Sequence, residues 1–189
     1  MINWDSKLTW RVLMALLLVL GITWIAVSRV PAEQAMARSQ RPPSPQAGFS
    51  APDFSLEAPD GGTVSLADLR GQVVLVNFWA TWCPPCRAEM PAIQQVYERY
   101  RDQGFTVLAV DMQETDAQVA AFVDEMGLTF PILMDRDGSV SARYQVKALP
   151  STFFIDREGI IQNVTLGGPM APAFIESQVT GLLAAAGSP

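Results

Sequence analysis

The order of apolar and polar residues along the chain predicts an α/β domain. Residues 73–79 and 106–110 are almost continuously apolar, which is typical of strands buried on both faces of a sheet. Between them, residues 86–103 carry apolar side chains at helical spacing, and Gly104 marks the end of this predicted helix. Gln94 is predicted to lie off its apolar stripe, which consists of Met90, Ile93, Val96, Tyr97 and Tyr100. The strand–helix–strand order indicates a sheet with helices packed on it.

Short elements are predicted before and after this unit. Two alternating stretches, 54–56 and 63–66, flank the turn residues 59–62 and predict a β-hairpin. In the last predicted helix, the buried side chains are expected to be Phe174, Val179, Leu182 and Leu183. The remaining predictions are a helical turn at 67–71, a loop at 111–114, helices at 115–126, 140–144 and 172–186, and strands at 130–134, 151–155 and 160–166. Together these elements predict a mixed sheet with helices on both faces.

The first 30 residues are predicted to be a membrane anchor. Residues 8–27 are apolar apart from Arg11, and about 20 helical residues cover the roughly 30 Å hydrocarbon core of a bilayer. Trp10 and Trp24 lie near the two ends, as interfacial aromatic residues do. The alternative is a cleaved secretory signal, but the small-x-small sequence at 35–37 lies farther from the apolar run than cleavage usually tolerates. We therefore favour a single-pass, uncleaved anchor.

The composition of the next segment separates this anchor from the folded domain. Residues 31–48 include the stretch Arg41-Pro42-Pro43-Ser44-Pro45 and show no apolar periodicity, so they are predicted to form a Pro-rich linker. The folded domain is then expected to cover residues 49–189.

Charge and composition exclude several classes of protein. The net charge is −6, and a nucleic-acid partner is not expected because binding to phosphates requires a basic surface. The chain has no histidine, which excludes Ser-His-Asp and Cys-His hydrolases, HExxH metalloenzymes and C-x-x-C-H haem attachment within it. General-base chemistry must therefore be done by a carboxylate, a lysine or a cysteine.

Both cysteines of the chain lie between the first buried strand and the helix that follows it. Cys83 and Cys86 form a C-x-x-C motif at the predicted helix N-terminus, where free N–H groups and the helix dipole favour a thiolate at Cys83. A zinc site would need two further Cys or His ligands, which the sequence does not contain. A purely structural disulfide would stabilise little across so short a loop. The motif therefore predicts a redox-active pair.

The residues around this motif resemble those of a known family. The chain is similar to the TlpA/ResA/CcmG group of membrane-anchored thiol–disulfide oxidoreductases, which have a thioredoxin-like fold with a redoxin, or AhpC-TSA type, domain. The resemblance extends from about residue 48 to residue 183, and its matching segments are Ala51-Pro52-Asp53-Phe54, residues 77–86, Glu89, Pro91 and residues 149–156. It implies an α/β, thioredoxin-like fold with a mixed central β-sheet flanked by helices, an N-terminal β-hairpin and a βα insertion over residues 115–144.

The resemblance also implies roles for individual residues. Cys83 is expected to be the exposed nucleophile and Cys86 the more buried resolving cysteine. Related thioredoxins carry a buried aspartate where this chain has Asn77, so the task of deprotonating Cys86 is expected to pass to Glu89, three residues along the helix. The alternative is that Glu89 is only a solvated helix carboxylate. Pro150 is expected to follow a cis peptide bond and to line a substrate groove together with Trp82, Pro84, Pro85 and Leu149.

The function implied by this resemblance is the reduction of protein disulfides on the extracytoplasmic, periplasmic side of the cell membrane. The expected substrates are envelope proteins, including apocytochrome c during cytochrome c-type biogenesis. The expected electron donor is a membrane thiol carrier of the CcdA or DsbD type. The redox-active disulfide Cys83–Cys86 would carry the electrons, and no metal or other cofactor is expected.

Two other functions are known for proteins of this fold and are alternatives for this chain. A peroxiredoxin-like peroxidase would use a lone peroxidatic cysteine with a distant resolving cysteine, whereas here the second cysteine is only three positions away. A metallochaperone-type binding protein on this fold would use a wider cysteine spacing and a histidine, and the chain has no histidine.

Overall fold

The computed structural model describes residues 6–28 and 42–185. The chain divides into two compact units, Met1–Gln40 and Arg41–Pro189. The first unit contains helix α1, Ser6–Ser28. The predicted boundaries between anchor and linker, at residue 30, and between linker and folded domain, at residue 48, stay predictions. Within the second unit, the N–H of Gly48 donates a hydrogen bond to the carbonyl of Ile161 at 2.7 Å.

Helix α1 does not support the predicted transmembrane anchor. Within residues 6–28 and 42–185, no helix is both long enough and apolar enough to cross a membrane.

The second unit is built on one mixed sheet of seven strands. Their order across the sheet is β2-β1-β5-β4-β3-β6-β7. The strands are β1 Ser55–Glu57, β2 Thr63–Ser65, β3 Val73–Trp79, β4 Phe105–Met112, β5 Ile132–Asp135, β6 Ser151–Ile155 and β7 Ile161–Leu166. Strands β3, β4 and β5 are parallel to each other, and the other neighbouring pairs are antiparallel. The predicted N-terminal β-hairpin, formed by β1 and β2, is confirmed.

Strand β3 lies near the centre of this sheet and is buried along its whole length. Successive side chains of a strand point to opposite faces. Accordingly, Val73 and Leu75 contribute to the apolar core on one face of the sheet, whereas Val74 and Val76 contribute to the core on the other face. The continuous apolar run in the sequence is thus explained by burial on both faces.

Within residues 42–185, four α-helices complete the two layers around the sheet. They are α2 Pro84–Tyr100, α3 Asp116–Met126, α4 Ser139–Arg143 and α5 Pro172–Ala185. Side chains of α2, α3 and α5 join the first core, and Val140 of α4 joins the second. The predicted thioredoxin-like fold, a mixed sheet with helices on both faces, is confirmed. The predicted βα insertion, residues 115–144, contains α3, β5 and α4.

Two predictions about helix faces are wrong. The sequence predicts Gln94 on the polar side of α2, but it is buried because its amide bonds to Thr129 in the loop after α3. The sequence predicts Phe174 in the core, but it remains 37% exposed at the first turn of α5, where Ile175 is the buried residue.

Candidate active site

The two cysteines lie where β3 ends and α2 begins. Cys83 is the N-cap residue of α2 with an extended backbone, and Cys86 lies in the first turn. They form a disulfide, with their Cα atoms 5.3 Å apart. Pro84 and Pro85 occupy the first helical positions, where a missing N–H costs little because it would have no partner within the helix.

This arrangement leaves one backbone donor for the Cys83 sulfur. The N–H of Cys86 donates a hydrogen bond to Sγ of Cys83 at 3.3 Å. Neither Pro84 nor Pro85 can donate, since proline has no N–H. A thiolate formed at Cys83 is therefore expected to be stabilised by this amide and by the positive end of the α2 dipole.

The burial of the two cysteines differs in part from the prediction. Cys86 is fully buried, as expected, and Cys83 is 3% exposed. The prediction of an exposed nucleophile is thus wrong for this disulfide form, because the Cys83 sulfur is bonded to Cys86 and packs in the core. The residue that is exposed at this point of the surface is Trp82, at 68%.

A groove of about 510 Å³ opens beside Cys83. Four of the five predicted groove residues line it, and Pro150 is buried instead. The Leu149–Pro150 peptide bond is cis, as predicted. The lining residues are Trp82, Cys83, Pro84, Pro85, Met112, Gln113, Val146, Lys147, Ala148 and Leu149. A segment of polypeptide lying in this groove would therefore pass next to the Cys83 sulfur.

Glu89 is buried on the inner face of α2, one turn after Cys86. Its Oε1 accepts a hydrogen bond from Nδ2 of Asn77 at 2.9 Å, and its Oε2 accepts one from the N–H of Met170 at 3.1 Å. Asn77 also donates to Oγ1 of Thr152 at 2.9 Å. The alternative that Glu89 is a solvated surface carboxylate is wrong.

The surroundings of Glu89 change its acidity. Burial raises the pKa of Glu89, because a carboxylate loses solvation there, and the hydrogen bonds from Met170 and Asn77 partly oppose this rise. Oδ1 of Asn77 is buried and has no hydrogen-bond partner. The carboxyl group can therefore hold a proton in a pH range where an exposed glutamate would be ionised.

A second group of carboxylates near the cysteines was not predicted from the sequence. Both carboxylate oxygens of Glu114 accept hydrogen bonds from Thr81, one from its N–H and one from its hydroxyl, each at 2.6 Å. The N–H of Glu114 donates to Oδ1 of Asp111 at 3.1 Å, and Asp111 is fully buried. This group holds the turn that leads from β3 to Cys83.

The pKa of the Asp111 carboxyl group is changed by its surroundings. Burial, followed by its hydrogen bond with the Glu114 carboxyl, raises the pKa of Asp111 to about 8. The sequence predicts a loop at residues 111–114, but Asp111 belongs to β4 and pairs with Trp79 of β3. Because the carboxyl ends of parallel strands share one edge of a sheet, its proximity to the cysteine turn could have been inferred from the strand order.

The chain is similar in sequence and in structure to known thiol–disulfide oxidoreductases. The AhpC/TSA family model matches residues 47–164. The chain is 37% identical over 166 residues to the thiol-disulfide oxidoreductase ResA of Oceanobacillus iheyensis, covering 86% of this chain and 82% of that protein. It is 46% identical over 125 residues to the thioredoxin-like protein YneN of Bacillus subtilis, covering 65% of this chain and 72% of that protein.

Two solved structures show the same fold. A thiol:disulfide interchange protein of the thioredoxin family from Chlorobium tepidum has a TM-score of 0.66 and 31% identity, covering 76% of this chain and 99% of that chain. A secreted disulfide oxidoreductase of Mycobacterium tuberculosis, homologous to DsbE of E. coli, has a TM-score of 0.63 and 27% identity, covering 68% of this chain and 96% of that chain.

Proposed function

The chain belongs to the AhpC/TSA family and is a thiol–disulfide oxidoreductase like its ResA relatives, and we propose that it reduces disulfide bonds of proteins outside the cytoplasm. The observation that carries this proposal is the Cys83–Cys86 pair at the N-terminus of α2, beside an open groove and one helical turn from a buried carboxyl group. The first cysteine faces a place where a substrate can lie, and the second faces the interior.

The proposed reaction transfers two electrons from the cysteine pair to a substrate disulfide. In the reduced protein, the Cys83 thiolate attacks one sulfur of the substrate disulfide, forming a mixed disulfide and releasing the other substrate sulfur as a thiolate that takes up a proton. The Cys86 thiolate then attacks Sγ of Cys83, which forms the Cys83–Cys86 disulfide and releases the second substrate thiol. A dithiol donor must afterwards reduce this disulfide to complete the cycle.

Glu89 is proposed to accept the proton that Cys86 loses in the second step. Burial raises a thiol pKa, and a nearby carboxylate raises it further by charge repulsion, so Glu89 cannot act by stabilising the Cys86 thiolate. It can act as a general base, because burial raises its own pKa towards the working pH. Glu89 and Cys86 would then titrate as a coupled pair.

The proposal extends to the location and the partners. The related Mycobacterium tuberculosis protein is described as secreted, and protein disulfides, the proposed substrates, form and persist in oxidising compartments. Residues 1–30 would direct the domain there, and the proposal does not require that they span the membrane. The proposed substrates are envelope proteins with cysteine pairs, apocytochrome c among them, and the proposed donor is a membrane thiol carrier of the CcdA or DsbD type.

A trapping experiment tests this function. A Cys86→Ala variant retains the attacking thiol but cannot resolve the mixed disulfide, so substrates should accumulate on Cys83 in cells and be released by added thiol. The Cys83→Ala variant is the matched control, since it retains one cysteine of the same motif. Purified wild-type protein, reduced beforehand, should reduce a model peptide whose two cysteines form a disulfide. Failure of both experiments would contradict the proposed function.

A further inference from the structure

The segment that joins β7 to α5 touches both the proline behind the groove and the buried glutamate. The 167–170 segment comprises Gly167, Gly168, Pro169 and Met170. The N–H of Gly167 donates to the carbonyl of Pro150 at 2.8 Å, and the N–H of Met170 donates to Oε2 of Glu89 at 3.1 Å. These two bonds fix the segment at both of its ends.

Gly168 lies between these two hydrogen bonds, and no side chain fits at its position. A Cβ atom there would lie 2.6 Å from Oε2 of Glu89 and 2.7 Å from Cγ of Pro150. The φ angle of Gly168 is not in the left-handed region, unlike that of its neighbour Gly167. A left-handed backbone is thus not the reason for glycine at this residue, and the contacts of a Cβ atom with Glu89 and Pro150 are.

We propose that the 167–170 segment positions Glu89 for its reaction with Cys86, and that Gly168 is needed there because any larger residue would push the carboxylate away from the Met170 amide. The inference rests on the proposed role of Glu89 as proton acceptor. Pro150 is a rigid ring, whereas the Glu89 carboxylate is the end of a side chain with three rotatable bonds, so the carboxylate is the group that would move. Gly168 and Met170 are therefore positioning residues and do not touch the reacting sulfurs.

The groups that face Glu89 decide what its displacement would do. Asn77 comes from β3, and Thr152 of β6 acts only through Asn77. The Met170 amide comes from the 167–170 segment, and Cys86 comes from α2 itself. The amides and the hydroxyl do not titrate, so they act only as hydrogen-bond partners. Because the Met170 bond favours the charged carboxylate, its loss would raise the pKa of Glu89 further and reduce the fraction of base at a given pH.

The experiment measures the second step of the reaction as a function of pH. Reduced protein is mixed with a small aromatic disulfide whose thiolate absorbs visible light, and the two thiolates appear in two phases, the second being resolution by Cys86. In a plot of the rate of the second phase against pH, the acidic limb should move about one pH unit higher for Gly168→Ala. A hydrogen bond to a charged group is worth about that much. Gly181→Ala is the control, because a Cβ at Gly181 meets nothing within 4 Å.

Combining this substitution with Glu89→Gln separates the possible outcomes. In the Glu89→Gln background, which has no carboxylate, Gly168→Ala should cause no further shift of the acidic limb of the pH–rate plot. An equal shift in the Glu89→Gln background, or no shift in the wild-type background, would overturn the inference while leaving the role of Glu89 intact. If Glu89→Gln alone leaves the second phase unchanged, the role of Glu89 fails and the inference fails with it.

Stability measurements keep the test decisive if Gly168→Ala folds poorly. Shortening Glu89 to alanine makes room on one side of the added methyl group, so Glu89→Ala should reduce the destabilisation caused by Gly168→Ala, or restore folding. Strictly additive effects of the two substitutions would show that the methyl group does not act on Glu89, and would overturn the inference.

Discussion

Asn77 donates its side-chain amide to Glu89 at 2.9 Å and thereby links the centre of β3 to the inner face of α2. The resemblance to thioredoxins implies an aspartate in those proteins at the position of Asn77. In this chain the ionisable group lies instead on the helix, one turn from Cys86, and the strand residue has become its hydrogen-bond donor. In the proposed mechanism, the group that accepts the proton of the buried cysteine therefore shares its helix.

Replacing Glu89 by glutamine is expected to slow the resolution of mixed disulfides. The loss of a general base typically reduces a rate by about 10²-fold or more, and removing the negative charge should also lower the apparent pKa of the Cys86 thiol. The fold should be unharmed, because a flip of the Asn77 side-chain amide would turn its unpaired Oδ1 towards the new amide as an acceptor. Stopped-flow kinetics and thiol titration check this. An unchanged rate together with an unchanged titration would contradict the role of Glu89.

Cys83 is expected to be the more acidic and the more reactive thiol of the reduced protein. The Cys86 N–H and the helix dipole favour its thiolate and should lower its pKa below the free value of about 8.5. Alkylation near neutral pH, followed by mass spectrometry of the peptides, should show modification of Cys83 first. The single variants Cys83→Ala and Cys86→Ala calibrate the two signals. Preferential modification of Cys86 would reverse the assigned roles.

The contribution of Asp111 to the stability of the protein should fall as the pH rises. The pKa of Asp111 is raised from its ordinary value of 3.8 to about 8, so the folded state binds this proton more tightly than the unfolded state. The resulting stability is complete below about pH 4 and is lost progressively as the pH rises towards about 8.

The variant Asp111→Asn isolates this contribution. It should be more stable than the wild type at pH 8 by at least about 1.4 kcal/mol, the free energy of one pKa unit, and the difference should shrink towards pH 5. Denaturant unfolding at several pH values measures it. Asp124→Asn, at an exposed position of α3, is the matched control. A difference that does not depend on pH would show that Asp111 is ionised in the folded protein throughout this range.

Truncating Gln94 to alanine should destabilise the protein. Its Nε2 donates to Oγ1 of Thr129 at 2.7 Å, and its Oε1 accepts from the N–H of Thr129 at 2.9 Å. The variant would leave the Thr129 N–H without its partner, so we expect a loss of about 1–3 kcal/mol in the free energy of unfolding. Gln95→Ala, at the adjacent exposed position, should change stability by less than about 0.5 kcal/mol. Equal effects of the two variants would contradict the role of this pair.

The proposed location predicts how the protein is labelled in intact cells. A thiol reagent that cannot cross membranes should modify reduced Cys83 without lysis, because the domain would lie outside the cytoplasm. A Cys83→Ala/Cys86→Ala variant should give no signal, and a cytoplasmic marker protein should stay unlabelled. Labelling that appears only after lysis would refute the location.

Sequence reasoning succeeded where one local pattern has one structural solution. The apolar run of β3, in which Asn77 is the one polar residue, and the C-x-x-C motif before a helical pattern predicted the position of the cysteines. The spacing from Cys86 to Glu89 predicted that the carboxylate lies on the same helix. The residues that were missed depend on contacts between distant segments. Gln94 of α2 is buried because Thr129, in the loop after α3, bonds to its amide. Asp111 lies near the cysteine turn because β4 runs beside β3 and extends past the predicted end of the strand. Hydropathy does not report such contacts.

The 3% exposure of Cys83 in the oxidised protein limits which reaction partners can approach it. A sulfur that attacks the Cys83–Cys86 disulfide, or that Cys83 attacks, must reach the bottom of the groove between Trp82 and Leu149. A cysteine in an unfolded or loosely folded segment can enter there more readily than a cysteine held on the rigid surface of a folded substrate. We therefore expect the protein to discriminate among envelope proteins by their state of folding, acting on newly exported chains and sparing mature disulfides.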